Sequence, residues 1–548
     1  MDNHIFCHRY HIFFIFLSQD PQKSNVICVT YNRYINQEVE FMTSKKIPAI
    51  VMSAVLSSLT ITGCANGSAD NVNIASVVTD SSEASADQIT ETKETVTTDE
   101  AGQTFDNNED GGHAIEVDGK TDEYSKATVK KTGDSEGDEA DFYGENSAIF
   151  ATNKAQLTLS DMNITTNGTH ANAVFSYGEG TVVDISNSSI ETSGNCSGGI
   201  MTTGGGTMNA ANLTIHTTGR SSAAIRSDRG GGTVTVNGGN YTTEGLGSPA
   251  IYSTADITVN DASLTSTTSQ GVVVEGKNSV TLNNVVLNAD NNQHNSDKSD
   301  VFEAVMIYQS MSGDAAEGLA KFSATGGQIS NANGDVFFVN NTATDIALSN
   351  VNITNNGGGV FLRAAAAGWG NEGSNGGKVN LTATSQKIDG DMIIDVVSVL
   401  NLYLEEGSTF NGAINSDGAA GDVYVELSGG SKWILTGDSY IKSLTCDADS
   451  IDLNGYTLTV DGKEYAEGSA SSGEPVEIKT QNGGREGMQA PPDGEKPEMG
   501  ENGMEPPKDG ERPEKPDGEP LEKPDGQPPE KPDGEGGPQG MAPPDKPE

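Results

Sequence analysis

Short stretches of alternating apolar and polar residues recur through the middle of the chain at a nearly constant interval. Each begins on a small residue followed by an aliphatic one, and two further short alternating strands follow it within each unit. Gly, Asn, Ser and Asp separate the strands, and these residues favour turns. The aliphatic positions are spaced by 25, 26, 25, 26 and 23 residues: Ile149, Val174, Ile200, Ile225, Ile251 and Val274.

A unit of three short strands cannot bury an apolar face alone, so the units must stack. Coils of about 23–26 residues with three strands each predict a right-handed parallel β-helix, an all-β fold. In this fold Ile149 and its equivalents form one internal ladder. A β-propeller needs about 40–45 residues per blade, and leucine-rich repeats need a recurring Leu/Asn frame, so neither alternative fits the spacing.

The segments around this repeat have different compositions. From Met42, two lysines and an apolar run lead to Ile61-Thr62-Gly63-Cys64, which is typical of a secretion signal. Its ending resembles the bacterial lipobox, in which the cysteine receives a diacylglycerol group. We therefore expect residues 1–41 to be a mis-assigned start, residues 42–63 a lipoprotein signal peptide, and Cys64 the lipidation site. The resemblance implies a lipid anchor on the extracellular face of the bacterial membrane.

Two segments are too polar to form a core. Residues 64–110 are rich in Ser, Thr, Asp and Glu, and residues 471–548 are rich in Pro, Gly, Glu and Asp. Such compositions bury too little apolar surface to offset the entropy of ordering the backbone. We expect a flexible tether and a disordered acidic tail, which leaves residues 111–470 for the β-helix.

Charge and cysteine content narrow the possible partners. The formal net charge of −46 repels nucleic acid, so no nucleic-acid partner is expected. Within the repeat region only Cys196 and Cys446 occur, which predicts neither a disulfide framework nor a metal site. No cofactor is predicted, although Ca²⁺ would suit the acidic loop around residues 290–300, which lacks EF-hand spacing. The oligomeric state is left open.

Residues 146–460 resemble the right-handed β-helices of pectate lyases and of bacterial adhesins. The most specific likeness is in residues 431–444 and 451–460, which look like the last coils of autotransporter adhesin passengers. The resemblance implies a long solenoid with a role at the cell surface. The lipobox implies a different route of export.

If the Ile149 ladder points inward, its neighbours point outward in three columns. Small residues next to aromatic residues predict a shallow groove with stacking platforms, which suits a sugar chain. The alternative is that turn insertions cover the aromatics, since the repeat is interrupted at residues 288–318 and 364–377. The columns are Ala148, Ala173, Gly199, Ala224, Ala250 and Val273; then Phe150, Phe175, Met201, Arg226, Tyr252 and Glu275; then Thr152, Tyr177, Thr203, Asp228, Thr254 and Lys277.

Scarce arginines cluster in one coil of this face. Arg226 and Arg229 flank Asp228, and guanidinium groups bind carboxylates through paired donors, so an acidic sugar would fit here. The alternative is a local Arg–Asp ladder that offsets acidic charge. The predicted ligand-binding residues are Phe175, Tyr177, Arg226, Asp228, Arg229, Tyr252 and Glu275.

The sequence favours a non-catalytic surface protein that binds a polysaccharide or a cell-surface glycan. One alternative is a polysaccharide lyase or glycoside hydrolase acting on acidic glycans, and another is a structural spacer of the envelope. We predict no catalytic residues, because Asp228 and Glu275 would lie two coils apart, roughly 10 Å by strand spacing. That separation is at the far limit for a hydrolytic carboxylate pair.

Overall fold

A computed structural model describes residues 12–16, 26–30 and 102–479. The predicted lipidation site at Cys64 lies outside these residues, as do most of the predicted tether and tail. Within them, no helix has the length and apolar character that crossing a membrane requires.

The described chain contains one short helix and many short strands. The first are β1 (Ile12–Phe16), β2 (Val26–Thr30), β3 (Thr104–Asn107), β4 (Ile115–Asp118), β5 (Thr121–Ser125), β6 (Thr128–Lys131), α1 (Asp138–Phe142), β7 (Ile149–Thr152), β8 (Gln156–Ser160), β9 (Asn163–Thr166), β10 (Val174–Tyr177), β11 (Val182–Ser186), β12 (Ser189–Thr192), β13 (Ile200–Thr203), β14 (Gly206–Thr217), β15 (Ile225–Ser227), β16 (Gly232–Thr243), β17 (Ile251–Ser253), β18 (Asp256–Asn260), β19 (Ser263–Ser266), β20 (Val272–Glu275), β21 (Ser279–Asn283) and β22 (Val286–Ala289). The remainder are β23 (Glu303–Tyr308), β24 (Leu319–Thr325), β25 (Gln328–Asn331), β26 (Asp335–Asn340), β27 (Ala343–Ser349), β28 (Asn352–Asn355), β29 (Leu362–Ala364), β30 (Lys378–Thr384), β31 (Lys387–Asp389), β32 (Met392–Ile394), β33 (Val399–Glu405), β34 (Thr409–Asn411), β35 (Asp422–Leu427), β36 (Lys432–Ile434), β37 (Ser439–Ile441), β38 (Ser443–Cys446), β39 (Ile451–Asp452), β40 (Leu458–Val460) and β41 (Lys463–Glu464).

These strands form a parallel β-helix, as the repeat predicts. The coils contribute strands to three faces, and most strands pair with their equivalents in adjacent coils. On face 3 the pairing is interrupted after β28, and β31, β34, β36 and β39 form a separate sheet. Face 1 is a sheet of 11 strands that runs from β4 to β32. Faces 2 and 3 share a 21-stranded sheet, because β14 and β16 each continue from face 2 into face 3. Within residues 102–479 the paired strands are parallel, except β40 and β41.

The ladder at the start of face 1 has the predicted inward direction. Ile149 pairs with Val174, Val174 with Ile200, and the column continues with residues that are almost entirely excluded from solvent. All of them belong to one continuous apolar core. Alternating aliphatic residues therefore point into the coil, as a half-buried strand requires.

The prediction was wrong about one member of this ladder. Ile251 pairs with Val272 rather than with Val274. The corner between β19 and β20 is two residues shorter than the corner between β16 and β17, since β16 ends at Thr243 and β19 ends at Ser266. This shift brings Val273 opposite Tyr252 and Glu275 opposite Tyr308.

The outward side of face 1 carries a second layer of apolar packing. Phe150, Phe175 and Met201 form one cluster on successive coils. A second cluster forms farther along the same column from Val273, Met306 and Phe338. Both are buried because insertions between the coils lie over them.

Four insertions cover face 1. Residues 132–148 include α1, where the carbonyl of Phe142 accepts a hydrogen bond of 2.8 Å from Thr203 and the backbone of Gly144 lies against two aromatic rings. Residues 290–302 and 309–318 flank β23, and residues 365–377 follow β29. The amide of Gly368 donates to the carbonyl of Lys298 at 2.7 Å, which joins two of these insertions. Together they make face 1 the side of the solenoid on which a site can form.

Antiparallel chain closes the last coils. β41 pairs with β40 in the antiparallel direction, and Ser471 forms an antiparallel bridge with Cys446 at the edge of face 2. Asn401 exchanges hydrogen bonds of 2.9 Å with the backbone of Val476, which holds the segment after the solenoid against face 2.

Candidate functional site

The predicted groove along face 1 is covered. The small residues Ala148, Ala173, Ala224 and Ala250 belong to the internal core and have essentially no exposed surface. The Phe175 ring is fully buried, and Tyr177 packs at the margin of the same cluster, with its ring 6.2 Å from that of Phe150. The expectation of an open groove is therefore corrected, because residues 132–148 occupy the space where a sugar chain would lie.

Arg226 and Asp228 point outward as predicted, but they are buried rather than exposed. Arg226 Nη2 donates to Asp228 Oδ2 at 2.9 Å and lies 3.8 Å from Asp141 Oδ1 in α1. Burial raises the pKa of Asp228 to about 6, and the adjacent guanidinium opposes this shift. The local Arg–Asp ladder, the alternative weighed from the sequence, describes this geometry.

Arg229 connects two insertions to the solenoid. Its Nη1 donates to Asp138 Oδ2 at 2.8 Å, and its Nε donates to Asp314 Oδ1 at 2.7 Å. The guanidinium carbon also lies 3.6 Å from the centre of the Phe142 ring, a cation–π contact. The donors that were expected to bind a carboxylate ligand are occupied by carboxylates of the chain itself.

Tyr252 and Glu275 belong to a different group of contacts. Tyr252 and Tyr308 both donate hydrogen bonds to Glu275 Oε2, the latter at 2.9 Å. Burial raises the pKa of Glu275 and of both tyrosines, and the tyrosine hydroxyls counteract the shift at Glu275. Glu275 thus connects two tyrosines that belong to the coils on either side of its own.

These tyrosines line a pocket that the sequence did not predict. Its volume is about 120 Å³, and it opens between face 1 and the insertions at residues 290–302 and 365–377. For comparison, an apolar cavity of about 150 Å³ holds a benzene ring. This pocket is smaller, so it can enclose only part of a sugar ring. Its lining comprises Gly247, Pro249, Tyr252, Gln270, Val273, Asn291, Gln293, His294, Asn295, Ser296, Ser299, Val301, Glu303, Met306, Tyr308 and Trp369.

Strand register brings the two sides of this pocket together. Val273 and Met306 are paired on adjacent coils and contribute apolar side chains. Tyr308 lies at the end of β23, with its ring 5.2 Å from that of Trp369 at an angle of 67°. The insertion positions Trp369 because Asn375 donates to the backbone carbonyl of Trp369 at 2.8 Å. Aromatic side chains therefore border one side of the pocket.

Glu303 is at the other end of β23 and is almost completely buried. Its Oε1 accepts hydrogen bonds from Gln270 at 2.7 Å and from Asn291 at 3.4 Å, whereas Oε2 has no partner among the described residues. Burial raises the pKa of Glu303 to about 8, and neighbouring Asp335 adds to the shift. At neutral pH Glu303 is therefore mostly protonated, and it adds little negative charge to the pocket.

Comparisons with known proteins add no relative: no family model, no curated protein and no solved structure matches the chain. The site therefore has to be interpreted from its own residues. Sequence reasoning identified Tyr252 but missed Gln270, Glu303, Tyr308 and Trp369. The available signal was the pair of interruptions in the repeat. Glu303 and Tyr308 lie within residues 288–318, and Trp369 lies within residues 364–377, whereas Gln270 lies outside both.

We predict that Arg229→Ala destabilises the covered face. The substitution removes two ion pairs and leaves the largely buried carboxylate of Asp314 without its partner, a loss of about 1–3 kcal/mol. The thermal midpoint should fall by several degrees, and proteolysis within residues 132–148 and 309–318 should accelerate. Arg220→Ala is the matched control, since exposed Arg220 makes a single side-chain hydrogen bond of 3.4 Å. Equal thermal midpoints for Arg229→Ala and Arg220→Ala would contradict this role of Arg229.

We predict that Glu303→Gln stabilises the protein at alkaline pH. Between pH 4.5, the ordinary pKa of the side chain, and about 8, the unfolded chain releases this proton while the folded chain retains it. The free energy of unfolding contributed by Glu303 therefore falls as pH rises through this window. Thermal melts from pH 5.5 to 9 should show a growing advantage of Glu303→Gln over the parent. Exposed Glu123→Gln should show no such trend, and a constant difference for Glu303→Gln would refute the prediction.

Proposed function

We propose that this chain is a surface lipoprotein whose pocket binds one neutral sugar ring, at the end of a glycan, without altering it chemically. The observation that carries the proposal is the combination of Tyr252, Tyr308 and Trp369 with the buried carboxyl of Glu303 in a single pocket. Pockets of this composition hold an apolar ring face by contact and orient it by a few polar groups.

The polar end of the pocket favours a neutral ligand. A sugar presents hydroxyl groups, which donate and accept hydrogen bonds. The mostly protonated Glu303 leaves this end of the pocket with little negative charge. Gln270 and Asn291 offer amides beside it. None of the described residues that line the pocket is Lys or Arg, and the arginines of face 1 are bonded to carboxylates. The acidic sugar expected from the sequence has no charge partner here.

The size of the pocket favours a chain end over the middle of a chain. A pocket of about 120 Å³ encloses no more than part of one ring. The insertions at residues 290–302 and 365–377 meet where Gly368 bonds to Lys298. A glycan that enters such a pocket presents its terminal unit. The rest of the chain would extend past the Asn and Ser residues at positions 295, 296 and 299.

Two sequence features support the location and the binding role. Ile61-Thr62-Gly63-Cys64 resembles a lipobox, and residues 146–460 resemble the β-helices of pectate lyases and of autotransporter adhesins. A lipid at Cys64 followed by a polar segment would present the solenoid outside the membrane. From these resemblances we infer a role at the cell surface, and we transfer no catalytic residue to this chain.

A glycoside hydrolase is the second candidate, and one pair of carboxyl groups favours it. Glu303 pairs in register with Asp335 on the next coil, and its raised pKa suits a general acid. However, Asp335 Oδ2 accepts from Arg363 at 2.6 Å and Oδ1 accepts from the Val360 amide at 2.7 Å. With both oxygens engaged, Asp335 is better placed to keep Glu303 protonated than to attack a substrate.

We expect Trp369→Ala to weaken glycan binding by at least about tenfold, because truncating a central Trp costs about 2 kcal/mol or more. The full chain is screened on an array of neutral and acidic oligosaccharides, and the best neutral ligand is then titrated by calorimetry. Tyr440→Ala is the control, since Tyr440 is an exposed aromatic on β37, away from the pocket. Exclusive binding of acidic glycans, or equal affinity in both variants, would contradict the proposal, and release of shortened glycan would favour the hydrolase.

We expect membrane fractions to contain the chain with a diacylglycerol-modified Cys64 at its N-terminus. Mass spectrometry of the N-terminal peptide provides the test, with Cys64→Ser as the variant that should remain unlipidated. Recovery of peptides from residues 1–41 on the mature protein would contradict both the start site and the anchor.

A further inference from the structure

Three side chains with metal-ligating atoms converge beside α1, away from the pocket. One ligand atom from each of Asp141, His170 and Cys196 lies within 4.8 Å of the others. Among the described residues this is the one group of three or more such side chains that meets in this way. Carboxylate, imidazole and thiolate are all ligands of Zn²⁺ in proteins.

We propose that Asp141, His170 and Cys196 bind a thiophilic divalent metal ion, with Zn²⁺ as the best fit. The proposal is independent of the sugar pocket. A sulfur ligand selects Zn²⁺ or a similarly soft ion over Ca²⁺ and Mg²⁺, which prefer oxygen ligands. Three protein ligands leave a fourth tetrahedral position that water can fill.

The solenoid places two of these ligands by its repeat. His170 and Cys196 are 26 residues apart, the same offset as between the paired strands β10 and β13. Both occupy the corner between faces 3 and 1 in the left-handed region, with φ of 57° and 54°. The amide of His170 donates to the carbonyl of Asn195 at 2.9 Å, which stacks one corner on the next. Equivalent corner residues on adjacent coils therefore point the same way.

The separation of two of the three ligand atoms suits a shared ion. His170 Nδ1 lies 3.4 Å from Asp141 Oδ1. Two ligands bound at about 2.0–2.1 Å to one tetrahedral ion are about 3.3–3.4 Å apart. Nδ1 is buried and has no hydrogen-bond partner among the described residues, although Asp141 is so close. An ion between them would satisfy this nitrogen.

The surrounding charges also balance when an ion is present. Arg226 Nη2 lies 3.8 Å from Asp141 Oδ1, and Arg226 is itself bonded to Asp228. A bound dication and the Arg226 guanidinium carry three positive charges, and Asp141, Asp228 and a Cys196 thiolate carry three negative charges. The group is therefore neutral with a water molecule in the fourth position.

A metal ion bound here would connect residues 132–148 to the two adjacent coils that contain His170 and Cys196. Asp141 belongs to α1, whereas His170 and Cys196 belong to the solenoid. A ligand that binds the folded arrangement, and not the unfolded one, stabilises the folded arrangement. The ion would therefore act on the insertion that covers Phe150, Phe175 and Met201.

The test uses the full chain, kept reduced and freed of metal with a chelator, and Co²⁺ as a spectroscopic substitute for Zn²⁺. A thiolate-to-cobalt absorption band should grow to one equivalent of Co²⁺ and disappear on addition of Zn²⁺. The acidic tail can bind Co²⁺ through carboxylates, but only a cysteine ligand produces this band. Zn²⁺ should also slow proteolysis within residues 132–148.

Matched variants assign the ligands. Cys196→Ser should lose the band and still fold, because Ser221 occupies the same corner of the next coil with φ of 54°. His170→Asn, a residue that tolerates left-handed backbone, and Asp141→Asn should each weaken binding by at least about tenfold. Cys446→Ser is the control and should retain the band, since Cys446 is buried near the end of the solenoid. A band that persists in Cys196→Ser, or unchanged affinity in the other two ligand variants, overturns the site.

Discussion

The hydrogen-bonded pairing of each strand with its equivalent one coil away is the constraint on which the other features depend. Parallel pairing repeats every side-chain position at the strand spacing, about 4.8 Å. Inward positions therefore become one continuous core, and outward positions become columns that run along a face. The same rule stacks Ile149 on Val174 in the core and His170 on Cys196 at a corner. A side chain on a paired strand is therefore close to its equivalents in the adjacent coils.

Much of the fold could be predicted because this repetition is visible in the sequence. The spacing of Ile149, Val174, Ile200 and Ile225 predicted both the β-helix and the inward direction of these residues. The assignment failed at Val274, because two residues missing from one corner and added at the next leave the alternating pattern intact while shifting its register. Register within an apolar run such as Val272–Val274 is decided by corner length, which composition does not reveal.

The candidate site was less predictable, because it depends on segments that do not repeat. Arg226 and Tyr252 belong to the same outward column, yet α1 lies near one and the pocket opens beside the other. The sequence showed that insertions exist, but not which part of face 1 each would cover. The burial of Glu303 and the meeting of Trp369 with Tyr308 are consequences of how these insertions pack, so they required the structure. His170 and Cys196 could have been paired from their spacing of one coil.

The closed end of the solenoid has a consequence for self-association. A parallel β-helix exposes unpaired backbone groups on its last coil, and a second molecule could in principle continue the stack there. Here β41 and the strand-like bridge at Ser471 lie along those edges in the antiparallel direction. An incoming coil would have to displace them before it could pair. These antiparallel segments therefore oppose the stacking of further molecules into a fibre at this end of the solenoid.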